Sequence, residues 1–256
     1  MKKTLALVLS AALLCSCANM NYNYLLSGGL KALQAAALTD AQIQEYVHQY
    51  VAQLDAQSPV LGENDAYTKR LRKITSGLTQ VDGIPLNFKV YKTNQVNAFA
   101  CADGSVRVYS GLMDLMNDNE VLGVIGHEIG HVALKHTKKE MQAAMVTSAG
   151  MDVLASTNQN VAILTQSQLG AIGETILNAQ YSKKQESAAD DYAYKFLVEA
   201  KKNPVCLMQG LQKLQSLEQS SGQTSGLVSK LFSSHPDTEA RIQRVQSRLV
   251  ADGFMK

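Results

Sequence analysis

Asn117–His136 reads NDNEVLGVIGHEIGHVALKH, and whether this stretch is a buried helix decides the fold. Asn117 followed by Glu120 makes a capping box, in which each side chain satisfies a free backbone donor of the other. Val121, Leu122, Val124, Ile125, Ile129, Val132 and Ala133 then cover nearly the whole circumference, as in a helix enclosed on most sides. Lys135, His136, Lys138 and Lys139 place positive charge at the carboxyl end, where the helix dipole favours it. Gly126 and Gly130 each cost about 1 kcal/mol relative to alanine inside a helix. They mark positions where substrate or a neighbouring helix is expected to come close.

Inside this helix lies His127-Glu128-Ile129-Gly130-His131, the pattern H-E-x-x-H. A helix turns about 100° per residue, which brings positions i and i+4 onto one face roughly 6 Å apart. His127 and His131 then offer imidazole nitrogens to one metal ion, and Glu128 stands beside them to take a proton from an attacking water. The plain alternative is a core helix with two coincidental histidines. The cap and the enclosing apolar pattern supply the context that metal chemistry needs.

A catalytic zinc site takes three protein ligands and keeps one position open. His136 lies nine residues beyond His127, which on a continuous helix is the opposite side. Gly at 134 and His at 137 would extend the motif, but Leu134 and Thr137 stand there. The candidate third ligand is Glu186. Glu186 and Asp190 are i and i+4 on one helix face, beside small residues that allow helix contact. Glu186 would bind the metal and Asp190 would accept a hydrogen bond from a ligand imidazole, fixing its tautomer. The same spacing also suits a solvated acidic face, and spacing alone leaves both readings open.

The surrounding chain predicts a mostly helical α+β domain over 39–256, with a small antiparallel sheet preceding the H-E-x-x-H helix. Thr39 and Gln42 form a capping box before Ile43, Val47, Val51 and Leu54 at helical spacing. His48 in that helix reads as a surface residue. A second helix from about Asn64 carries Tyr67, Leu71, Ile74 and Leu78 on one face. After the Asp82-Gly83 turn come three β-like runs, Leu86–Tyr91, Val96–Cys101 and Val106–Tyr109, with Asp103-Gly104 turning the last two into a hairpin. Two helices are expected between Glu140 and Glu174. Further helices follow from about Ser182 to Lys201, over Cys206–Leu217 and over Asp237–Asp252.

Met1–Cys17 reads MKKTLALVLSAALLCSC. Two lysines precede an apolar run too short to span a bilayer, as in a secretory signal peptide. Its end, Leu14-Cys15-Ser16-Cys17, resembles the bacterial lipobox, which implies cleavage after residue 16 and lipidation of Cys17. Residues 17–38 then read as a lipidated tether, and Ala18 after the cysteine favours the periplasmic face of the outer membrane in a Gram-negative host. Cys101 and Cys206 would share an oxidising compartment in which they could pair. The chain has 256 residues, 46% of them hydrophobic, and a formal net charge of +2. That balance gives no electrostatic case for a nucleic-acid partner.

Asn97-Ala98-Phe99-Ala100, His127-Glu128-Ile129-Gly130-His131, Glu186 with Asp190, and Ser234-His235-Pro236 with Arg241 together resemble the gluzincin peptidases of the HtpX type. Order and spacing match across roughly 66–249. The resemblance implies a zincin fold with one zinc per chain, ligated by His127, His131 and Glu186. It also implies Glu128 as catalytic base and Asp190 behind a ligand histidine. Asn97–Ala100 would pair with an extended substrate, although Ala102-Asp103-Gly104 replaces the family's frequent Gly-Gly after that strand. The implied activity is a zinc endopeptidase acting on unfolded or misassembled envelope proteins, with partner envelope proteases or assembly factors. One rival is an assembly factor that binds clients in the cleft and rarely cuts them; a second is a zinc hydrolase acting on cell-wall amides, against which the sheet-edge resemblance favours peptides. His235 and Arg241 are expected to line the cleft and stabilise the oxyanion or position substrate. His235, beyond a Ser/Gly-rich loop, has a second expected role: a fourth ligand that holds the enzyme off. A helix-start histidine without a catalytic role is the alternative to both.

Overall fold

The computed structural model describes residues 39–140, 170, 173, 179–220, 235–236 and 238–256. The leader, Cys17 and the tether lie outside the described residues. So do the loop after residue 220 and, apart from Gly170 and Gly173, the helix pair expected between Glu140 and Glu174.

Helix α1 (Asp40–Gln57) starts on the expected box: Gln42 N–H donates to Thr39 Oγ1, and Thr39 N–H donates to Gln42 Oε1. His48 is exposed on it. Helix α2 (Ala66–Ile74) begins on the Asp65 cap and stops at Thr75, short of the apolar spacing that runs to Leu78. Gly77 at φ +86° turns the chain, and Leu78 reaches the core from outside the helix. Strands β1 (Gln80–Val81) and β2 (Ile84–Pro85) close over Asp82 and Gly83, both at positive φ, the conformation a two-residue primed turn requires.

The main sheet has the order β3-β5-β4, with β3 at Asn87–Tyr91, β4 at Ala98–Ala100 and β5 at Ser105–Tyr109. The β4–β5 hairpin is antiparallel, as read from its turn. Strand β3, however, pairs with β5 in parallel, so one of the two ladders departs from the antiparallel expectation. Residues 92–97 carry the chain past the place that β5 later fills, and the hairpin folds back into the gap. One face of the sheet, with Val90, Ala98, Ala100, Val106 and Val108, belongs to the core. The opposite face carries Arg107, only 2% exposed. Its Nε and Nη2 donate to the two carboxylate oxygens of Asp55 on α1 at 2.8 and 2.9 Å. Lys89 Nζ and Tyr91 Oη donate to the same carboxylate.

A short helix α3 (Ser110–Leu115), not anticipated from sequence, leads into α4 (Asp118–Ala133). Asn117 caps α4 with the full box, and every residue from Val121 to Val132 is buried. Helix α5 (Lys183–Glu199) begins on a Ser182–Gln185 box, and α6 (Val205–Ser220) and α7 (Thr238–Ala251) complete the described elements. Glycine lets these helices close on α4. A Cβ on Gly130 would lie 2.5 Å from the Ala189 carbonyl oxygen of α5, and one on Gly123 would lie 2.1 Å from that of Cys206 in α6. The close neighbours at these glycines are helix backbones. Cys101 and Cys206 are buried free thiols, so the disulfide considered above is not formed.

Candidate metal centre

Helix α4 projects His127, Glu128 and His131 toward α5, whose first turns carry Glu186 and Asp190. All five side chains are buried. His127 Nε2 and His131 Nε2 are 3.0 Å apart. Glu186 lies 3.4 Å from the first and 3.1 Å from the second. His235, ahead of α7, places Nδ1 at 3.2 Å from His127 Nε2 and 3.1 Å from Glu186 Oε1. One donor atom from each of these four residues lies within 4.8 Å of all the others. Donors bound at the usual zinc distances in a tetrahedron stand about 3.3 Å from one another, so this spacing suits a zinc-sized ion.

The charges fit as well. With the histidines neutral, the buried carboxylates Glu128, Glu186 and Asp190 outnumber the one buried guanidinium near them among the described residues, that of Arg241, and a cation at the donor cluster would balance them. Burial and Arg241 both push the His127 imidazole down, but Glu186 and Asp190 outweigh them and lift it to about 9. Burial alone would raise Glu186, yet the imidazoles of His127, His131 and His235 hold it well below the usual carboxylate range. Glu128 is raised, chiefly by burial, and its Oε1 stands 3.5 Å from His235 Nε2.

Behind the donors the supports are specific. Asp190 Oδ1 is 2.8 Å from His127 Nδ1, a contact that would hold the ring proton on Nδ1 and leave Nε2 to a metal. Arg241 is 3% exposed. Its Nε and Nη2 donate to Asp190 at 2.8 Å each, and Nη1 meets Glu186 at 2.5 Å. The guanidinium is thus turned toward these acids. Asn97 is half-buried just before β4, and the Phe99 ring packs against Tyr91 and Tyr109 on the face away from the core.

Two neighbours of the centre escaped the sequence reading. Helix α4 ends at Ala133, and Lys135 at φ +57° reverses the chain. This swings His136 back, so that its Nδ1 lies 3.0 Å from His131 Nδ1. Geometry on a continuous helix had excluded that approach, and no glycine announces the turn. Tyr181 stacks on the His131 ring, with centroids 3.8 Å apart and planes at 31°. Its one sequence signal is an aromatic residue directly before the cap of the ligand helix.

A buried H-E-x-x-H helix joined by a glutamate from a second helix defines a zincin-type metallohydrolase. The chain belongs to peptidase family M48, whose model matches residues 65–249, and is a metallopeptidase that acts on protein substrates. It is 44% identical over 245 residues, 95% of each chain, to Metalloprotease LoiP of Escherichia coli (strain K12). It is 41% identical over 254 residues, 98% of each chain, to Metalloprotease YcaL of the same organism. A protease HtpX homolog of Methanopyrus kandleri is 26% identical over 214 residues, 70% of this chain and 66% of that one.

Proposed function

We propose that this chain is a zinc endopeptidase of the bacterial cell envelope, anchored through Cys17 to the periplasmic face of the outer membrane, and that it cleaves unfolded or misassembled proteins there. The observation that carries the catalytic reading is the convergence of His127, His131 and Glu186 beside the buried carboxyl of Glu128. A zinc ion held by those three residues supplies Lewis acidity, which polarises a scissile carbonyl and lowers the pKa of water. Glu128 takes a proton from the attacking water and passes it to the leaving amine. Its burial, which raises the carboxyl, suits a base that must also act as an acid. Asp190 keeps His127 in the tautomer whose Nε2 faces inward. Arg241 holds Asp190 and Glu186 in place.

Substrate is read as an extended strand on β4. Tyr109 N–H donates to Asn97 O, and Cys101 N–H donates to Ser105 O. By the two-residue period of an antiparallel ladder, Asn97, Phe99 and Cys101 turn their backbone groups to β5, and Ala98 and Ala100 turn theirs to the outer side. An extended chain of any sequence meets those groups through main-chain bonds, which suits disposal of unfolded proteins. The lipobox-like Leu14-Cys15-Ser16-Cys17 supports the anchor. Among the described residues no helix is long and apolar enough to cross a membrane.

His235 favours a second state of the same enzyme. Its Nδ1 stands at the fourth corner of the donor cluster, where it would compete with water and hold the protease off until substrate displaces it. His235→Ala should then cleave faster than wild type on an unfolded substrate. A slowing of about a hundredfold or more, with unchanged zinc, would instead make His235 a transition-state donor.

The testing experiment compares wild type with Glu128→Gln on casein and in cells. Wild type should cleave, and Glu128→Gln should be slower by about 10²- to 10⁴-fold while retaining clients in outer-membrane fractions. A wild type that binds unfolded proteins without cutting them would favour the assembly-factor reading. Clients confined to another compartment would overturn the location.

A further inference from the structure

The support behind His127 is a carboxylate, whereas the support behind His131 is another histidine. His131 Nε2 faces the donor cluster, 3.0 Å from His127 Nε2 and 3.1 Å from Glu186 Oε1. With that lone pair turned inward, the ring proton sits on Nδ1. Opposite it, at 3.0 Å, is His136 Nδ1. Both rings are buried, His131 at 1% and His136 at 5% exposure, so water does not readily replace this contact. His131 Nδ1–H is the donor, and His136 must accept as a neutral imidazole with its own proton on Nε2. The flat face of His131 is covered by Tyr181, and Tyr181 and His136 themselves lie 6.0 Å apart between ring centres.

We propose that His136 and Tyr181 are positioning residues that brace His131 on its edge and on its face, fixing the tautomer and ring plane in which it binds the metal. The proposal rests on the reading of His131 as a ligand and goes beyond it. The backbone that delivers His136 is itself held. Lys135, in the left-handed region, and Lys138 both pair with Asp40 at the start of α1, one on each side of His136. The brace therefore links the ligand to the first turn of the described domain. A hydrogen-bond acceptor at this position raises the ligand's basicity, and losing such a partner costs metal affinity about ten- to a hundredfold.

The test is zinc affinity of the full chain, measured by competition with a chelator, together with the visible spectrum of the cobalt-substituted protein. His136→Leu should bind zinc about ten- to a hundredfold more weakly and shift the cobalt bands. His136→Gln, which restores an acceptor oxygen, should recover most of the loss. Tyr181→Phe keeps the stacked ring and should bind as wild type does, whereas Tyr181→Ala should bind more weakly. Circular dichroism of each metal-free variant identifies any that fails to fold, and the Gln and Phe variants keep the comparison decisive in that case. A folded His136→Leu with wild-type affinity and cobalt spectrum would overturn the brace. His136→Gln as weak as His136→Leu would overturn the acceptor role. A wild type that binds no zinc would instead overturn the ligand reading beneath it.

Discussion

Arg107 and Arg241 are both buried against carboxylates, and the difference between their surroundings separates scaffold from site. Around Arg107 the polar groups close on one another. Asp55 accepts from Arg107, Lys89 and Tyr91, and the remaining guanidinium donor goes to the carbonyl and side chain of Asn87. This network ties α1 to the sheet and has no converging donors to offer a ligand. Around Arg241 the guanidinium meets Asp190, Glu186 and His127 Nδ1, and those acids face imidazoles whose Nε2 atoms stand 3.0 Å apart. Both clusters hold buried charge. Only the second gathers lone pairs at a common point, an arrangement that a cation resolves.

The largest expected effect that separates the two belongs to the scaffold. Asp55→Ala leaves the Arg107 charge buried without its carboxylate, and breaking such a pair costs about 3–5 kcal/mol. Urea unfolding should show that loss, while the folded fraction keeps its zinc. A variant that instead lost zinc at undiminished stability would break the division between the clusters.

A smaller effect follows from acid. Burial would raise the Asp55 carboxyl, but Arg107, Lys89 and Tyr91 outweigh it and hold it at about 2, below its ordinary 3.8. A depressed carboxylate contributes stability above the unfolded pKa and loses it as pH falls through the folded one. The contribution, on the order of 2 kcal/mol, should therefore be complete above about pH 5 and disappear toward pH 2. Measured by urea unfolding, the stability gap between wild type and Asp55→Asn should narrow over that window. A gap constant down to pH 2 would show that the carboxylate charge is not what Arg107 needs.

Much of the site was legible because its signals are local. Asn117 and Glu120 announce the cap of α4, the i, i+4 spacing of His127 and His131 fixes a face, and Glu186 with Asp190 repeats that spacing on a second helix. What escaped depends on the chain leaving its regular path or on contacts distant in sequence. His136 approaches His131 because a lysine, not a glycine, takes the left-handed turn at 135. Tyr181 acts from outside any helix. Arg107, in a Val-Arg-Val run, reads as the polar outward position of a strand, and its partner Asp55 on α1 lies far away in sequence. The parallel β3–β5 ladder was hidden for a similar reason, since turn residues report hairpins and say little about a strand joined from farther away.

Zinc content tests the convergence of His127, His131 and Glu186 most directly, measured by mass spectrometry on purified full chain and on two variants. Wild type and Glu128→Gln should each hold about one zinc per chain, as a site with three protein ligands does, with cleavage lost only in the latter. Glu186→Ala should hold far less. A Glu186→Ala protein that kept one zinc and full activity would contradict the site described here.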